Sequence, residues 1–173
     1  MSFTRSFLSA LAVTASMLVC LPAQAADYLS FNLGAFNALR DGDHDAQFGL
    51  EYRMSAYQYN LRPVFGGFVT DEGALYGYAG VNWDIALIPN KVYLIPNFAV
   101  GAYSEGDGKD LGGAIEFRSG VELAYQFENQ HQLGVALNHL SNASLYDKNP
   151  GVETVMMTYS VPLNSVSNLI GGQ

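Results

Sequence analysis

One feature constrains this chain more than any other: apolar and polar residues alternate with a period of two, segment after segment. Eight such segments are expected as strands, at about 29–37, 46–54, 60–69, 75–87, 92–103, 113–127, 131–141 and 153–163. The sixth is the clearest. Ile115, Phe117, Val121, Leu123, Tyr125 and Phe127 share one face, and Glu116, Arg118, Gly120, Glu122 and Gln126 share the other. The second repeats the pattern, with Phe48, Leu50, Tyr52 and Met54 opposite Gln47, Gly49, Glu51 and Arg53. Successive side chains of a strand point to opposite faces, so each segment has an apolar wall and a polar wall. An all-β chain of eight such antiparallel strands closes either as a soluble barrel, apolar inside, or as a membrane barrel, apolar outside.

The rest of the chain bears on that choice. Only 14% of its 173 residues are charged, against about a quarter in ordinary soluble domains. Gly, Tyr and Phe are abundant, at 18, 11 and 10, which suits strands and turns. A net charge of −8 argues against nucleic acid as a partner, because phosphates need Lys and Arg. With a periplasmic N-terminus, the joints near 38–45, 70–74, 104–112 and 142–152 are the external loops, expected to be the longer set beside those near 55–59, 88–91 and 128–130. Tyr28, Tyr57, Tyr59, Trp83, Tyr93, Tyr125 and Phe127 gather at the other end, as in an interfacial aromatic girdle. The expectation is an eight-stranded antiparallel transmembrane barrel of a Gram-negative outer membrane, with a soluble lipocalin-like barrel as the alternative.

Residues 1–25 read as a secretory signal peptide. Arg5 is its one charge, Phe7 to Leu21 its apolar core, and Ala23-Gln24-Ala25 its cleavage site. The barrel is expected over 26–163, followed by a tail at 164–173. Cleavage would remove Cys20, the one cysteine, so disulfides have no part in the mature fold.

Chemistry concentrates in His139-Leu140-Ser141-Asn142-Ala143 and Asn149-Pro150-Gly151-Val152-Glu153. His139 and Ser141 are two apart in a strand, so they share a face about 7 Å apart. Antiparallel pairing can bring Glu153 opposite or diagonal to His139. A nucleophile, a base and an orienting carboxylate are the parts of a Ser-His-acid triad. His139 and Ser141 share the face of Leu133, Val135 and Leu137; Glu153 shares that of Val155, Met157, Tyr159 and Val161. In a membrane barrel all three look outward, toward lipid.

These residues resemble the lipid A 3-O-deacylases of PagL type, eight-stranded outer-membrane barrels with an H-x-S-N signature, an Asn ten residues after the His and a Glu fourteen after it. His139, Ser141, Asn142, Asn149 and Glu153 match at every spacing. The resemblance implies Ser141 as nucleophile, His139 as base and Glu153 as its partner. It also implies Asn142 as a hydrogen-bond donor to the oxyanion and Asn149 as a supporting residue. Lipid A, within lipopolysaccharide, is then the substrate, with no metal or organic cofactor; a homodimer is left open. Two features depart from the family pattern: Ser144 stands where Gly is expected, and the chain runs on past its last strand.

Other polar residues have simpler readings. His44 is a solvated loop histidine among Asp41, Asp43 and Asp45, and His131 opens the seventh strand at the periplasmic end. Glu51, Arg53, Arg62, Glu116, Arg118 and Glu122 are expected to fill the lumen as paired charges. Gly106-Asp107-Gly108, with Glu105 and Asp110, is an acidic turn rather than a calcium loop. The rival from another functional class is a non-enzymatic barrel serving adhesion or envelope integrity.

Overall fold

The computed structural model describes residues 26–39 and 44–163. The expected signal peptide, the tail and the tip of the first external loop lie outside them. Among the described residues nine strands form one antiparallel sheet: β1 (Tyr28–Phe36), β2 (Asp45–Arg53), β3 (Leu61–Thr70), β4 (Leu75–Trp83), β5 (Ile85–Ile88), β6 (Val92–Ser104), β7 (Ile115–Gln126), β8 (Gln132–Ser141) and β9 (Val152–Pro162). β1 pairs with β9 and β4 with β6, so the sheet closes on itself.

β4 and β5 together are the fourth barrel strand, expected as one run. β3 begins at Leu61, opposite Trp83, and the ladder on that side ends with the Asp84 N–H donating to Asn60 O (3.0 Å). Beyond that point Asp84 takes the Arg62 guanidinium (Nε to Oδ2, 3.0 Å), and β5 pairs with β6 alone. Eight strands cross the wall; the ninth is a continuation.

Apolar side chains are outside. Phe31, Leu33, Phe48, Leu50, Phe65, Phe98, Leu123, Val135 and Met157 are exposed on the wall. Glu51, Arg53, Arg118, Glu122, Asn82 and Thr158 are buried within. That polarity answers the choice between a soluble and a membrane barrel: in water this wall would be a continuous hydrophobic surface, and in a bilayer it is the solvated one. The lumen charges pair as expected. Arg53 donates to Glu51 (2.8 Å) and Glu122 (2.7 Å), and Arg118 donates to Glu51 (2.9 Å) while lying over the Tyr78 ring. Glu116 is the exception: it is fully buried and, among the described residues, pairs with no cation. Toward the external end the interior turns apolar, with Phe36, Phe68, Tyr76, Tyr103, Leu111, Leu140 and Val152 in one cluster.

Two expectations about the ends need correction. The 71–74 joint is shorter than the periplasmic 54–60 joint, so joint length alone does not tell the two ends apart. Tyr57, Tyr59, Trp83, Tyr125 and Phe127 are exposed at the periplasmic rim, but Tyr28 is buried inside under Arg62. Tyr93 shares the inward parity of Ile95 and Ala99. Both belong to the mouth of the lumen rather than to the girdle.

Candidate active site

The site lies where β8 leaves the wall and β9 re-enters it. Leu140 and Val152 are opposite each other, both fully buried in the apolar cluster, and they pin the register of this corner. One step further into the wall His139 stands directly opposite Glu153. His139 Nδ1 lies 3.1 Å from Glu153 Oε1, with the two side chains 44% and 22% exposed on the outer wall. The contact occupies Nδ1 and leaves Nε2 for another partner. Ser141 follows on the same outward face, next to Phe117 of β7. Among the described residues no hydrogen bond joins the Ser141 hydroxyl to His139; such contacts often tighten only when substrate binds.

The loop after Ser141 turns at once. Leu145 N donates to Asn142 O (3.0 Å), and Ala143 and Ser144 have φ of 52° and 62°. Two successive left-handed residues are the signature of a type I′ turn, which suits Gly or Asn better than Ser. Ser144 therefore sits at a position where Gly would be unstrained, which is the physical content of the departure noted above.

The Asn142 side chain is on the side of the sheet away from Ser141. It has the inward parity of Leu140 and is fully buried. Its Nδ2 donates to Leu111 O (2.8 Å) and Lys148 O (2.7 Å), while its Oδ1 accepts from Ser144 N (3.0 Å). Both amide hydrogens are thus committed, on the opposite side of the sheet from Ser141. Asn149 Oδ1 accepts from the Asn142 N–H (3.1 Å). The two asparagines tie this loop to itself and to the neighbouring loop that carries Leu111.

That neighbouring loop, residues 105–114, is clamped against the site loop. A Cβ at Gly112 would lie 2.1 Å from Lys148 O, and one at Gly113 2.1 Å from the Tyr146 ring. Asp110 accepts from the Gly112 N–H (2.7 Å), which, ahead of the nearby Lys148 ammonium, holds its carboxyl below the usual carboxylate range.

Two residues without a role in the sequence reading border the histidine. Gly151 has φ of +63°, and a Cβ there would come within 2.9 Å of His139 Cε1. Ser119 of β7 is the cross-strand neighbour of His139 on the side away from Glu153, exposed on the same wall. The outward positions of the strands are otherwise uniform. Apart from Ser104 at the external tip of β6, they carry apolar, glycine or aromatic residues with four exceptions: Ser119, His139, Ser141 and Glu153. The sequence signal for Ser119 was its break in the apolar face of β7.

The other histidines lie elsewhere. His44 Nδ1 is 2.8 Å from Asn37 O in the first external loop, and His131 Nδ1 is 2.8 Å from the Tyr159 hydroxyl at the periplasmic end. Among the described residues no group of three His, Cys, Asp or Glu could hold a metal ion.

The sequence model of the family described as lipid A 3-O-deacylase (PagL) matches residues 45–162. The chain belongs to that family. It is accordingly an outer-membrane β-barrel and a hydrolase of an ester-linked acyl chain. The lipid A deacylase PagL of Bordetella bronchiseptica is 24% identical over 140 residues, covering 69% of this chain and 77% of that protein. The lipid A deacylase PagL of Pseudomonas aeruginosa is 30% identical over 76 residues, 42% of this chain and 43% of that one. A crystal structure of the outer membrane enzyme PagL superposes with a TM-score of 0.61 at 20% identity, covering 78% of this chain and 99% of the other, a likeness of fold.

Proposed function

We infer that the protein hydrolyses the ester bond of the 3-O-linked acyl chain of lipid A, with Ser141, His139 and Glu153 as the triad. The observation that carries this reading is the His139–Glu153 contact on the outer wall, with a serine hydroxyl two residues along the same face. A polar trio of this kind on a lipid-facing surface costs stability, and its orientation suits a substrate that arrives from the leaflet.

The chemistry follows from the atoms. Ser141 Oγ attacks the ester carbonyl, and its proton passes to His139 Nε2. Glu153, held at Nδ1, stabilises the imidazolium and fixes the tautomer. The tetrahedral intermediate then collapses, the sugar oxygen leaves with the proton from Nε2, and the acyl group remains on Ser141. Water completes the cycle. The oxyanion needs donors, and with the Asn142 carboxamide turned inward we assign that task to backbone N–H groups of the 142–145 turn. Ala143 N–H is the candidate, since Asn142 and Ser144 N–H are already bonded. Asn142 and Asn149 then serve by holding the turn. All these residues come from one chain, so the reading needs no second copy.

The test is mass spectrometry of lipid A from Gram-negative cells that make the protein. Wild type should remove one acyl chain, while Ser141→Ala and His139→Ala should remove none and still fold. Glu153→Ala should lose less, because it orients rather than reacts. Full activity in Ser141→Ala would sink the serine mechanism.

A further inference from the structure

Among the described residues, Ser119 is the one outward polar residue, tyrosines aside, in the body of the wall that the triad does not use. Burial of a hydroxyl against hydrocarbon is unfavourable without a partner, and among the described residues its hydroxyl has none. Every other outward position of β7 is apolar or aromatic: Ile115, Phe117, Val121, Leu123 and Tyr125. Its place is specific. In the register Ser119 is opposite His139, which is opposite Glu153, so the three form one row across β7, β8 and β9. Directly opposite residues have Cβ atoms about 4.5–5.5 Å apart, a gap that a hydroxyl and one bridging water can span.

The reaction has a demand that the triad alone does not meet. After the first half, an acyl group on Ser141 must be cleaved by water on a wall otherwise built to repel it. We propose that Ser119 holds the hydrolytic water beside His139 for the second half of the reaction. This rests on Ser141 being the nucleophile. The water donates one hydrogen bond toward His139 Nε2 and another to Ser119 Oγ. Its oxygen attacks the acyl carbonyl as its proton moves to Nε2. The bond between the carbonyl carbon and Ser141 Oγ breaks, Oγ recovers the proton from Nε2, and the fatty acid leaves. No electrons are exchanged, and water is the only co-reactant.

A water-positioning residue differs from a merely structural one in which half-reaction it slows. Purified full-length protein in detergent, given lipid A, releases the deacylated sugar in the first half and the fatty acid in the second. Ser119→Ala should keep a first-turnover burst of deacylated lipid A while steady turnover falls roughly tenfold to a hundredfold. The intact protein should then gain the mass of one acyl group, located on Ser141. Ser119→Thr, which keeps the hydroxyl, should restore turnover. Hydroxylamine, a nucleophile that does not need the water site, should speed release from Ser119→Ala and yield the hydroxamate. Unchanged turnover in Ser119→Ala, or a loss with no burst and no acyl-enzyme, would overturn the proposal while leaving the triad intact. An acyl group found on Ser119 in the wild type would overturn the triad as well.

Discussion

At the scale of single residues, the histidine is set by what surrounds it more than by what it bonds. Glu153 holds Nδ1, and Gly151 lets the backbone pass within contact distance of the ring. Gly151→Ala would force a Cβ to 2.9 Å from His139 Cε1 at a φ of +63°. The ring must then turn away from Glu153, so activity should fall by an order of magnitude or more, as positioning losses do, while the barrel stays folded. Lipid A deacylation measured beside unheated gel migration separates the two effects. The His, Ser and Glu of this corner were legible from parity and spacing, but Gly151 was not, because its role depends on a ring packing against backbone. Asn142 teaches the reverse lesson. Its even position, like that of Leu140, already put its side chain on the inner face.

At the scale of elements, period two made the strands legible almost to the residue, because each wall of the barrel faces a different solvent. What it could not give was closure and contact: which charges meet across the lumen, and where a strand loses its neighbour. The break at Asp84 depends on β3 starting only at Leu61, which no local pattern announces. Position along the chain puts Tyr28 and Tyr93 with the girdle, whereas their parity turns them inward. The lumen network has its own consequence. Arg53 bridges Glu51 and Glu122, so Arg53→Met would leave the buried Glu122 without its cation and Glu51 with Arg118 alone, and should cost about 3–5 kcal/mol of stability. Denaturant titration followed by tryptophan emission measures it, and activity per folded molecule should persist because the site is on the other face. Asp27 supplies a pH dependence. It accepts hydrogen bonds from Ser55 N–H (2.6 Å), the Ser55 hydroxyl and the Tyr52 hydroxyl, at the periplasmic entry to β1. The Ser55 side chain foremost, then Tyr52, holds its carboxyl below the ordinary value. A lowered folded-state pKa contributes stability above the unfolded value, about 3.9, that is lost as pH falls through the folded one. Wild type should therefore lose part of its margin over Asp27→Asn only in strong acid, read from paired acid titrations.

At the scale of the whole molecule, the two faces of one strand divide the labour. Leu137 lies outward, one step along the face from His139, and Ala136 lies inward against Glu122 and Met156. Leu137→Trp should hinder docking of the acyl chain and reduce deacylation several-fold without unfolding the barrel. Ala136→Trp should instead overpack the lumen and cost about 1–3 kcal/mol. Deacylation assays and unfolding curves on the same pair of variants should give opposite patterns. Equal loss of activity per folded molecule in both would mean that the two faces are not separate.

The outward placement of His139, Ser141 and Glu153 also sets the geometry of encounter. An enzyme with an internal cleft samples its substrate from a volume, whereas this one can meet lipid A only along its perimeter, within the plane of a leaflet. Its working concentration is a surface density: molecules per area of membrane beside one corner of β8 and β9. Diluting lipid A with other lipids should slow the reaction even when the amount per litre is unchanged, and neighbours crowding that one arc of the barrel would act as competitive inhibitors without touching a catalytic atom.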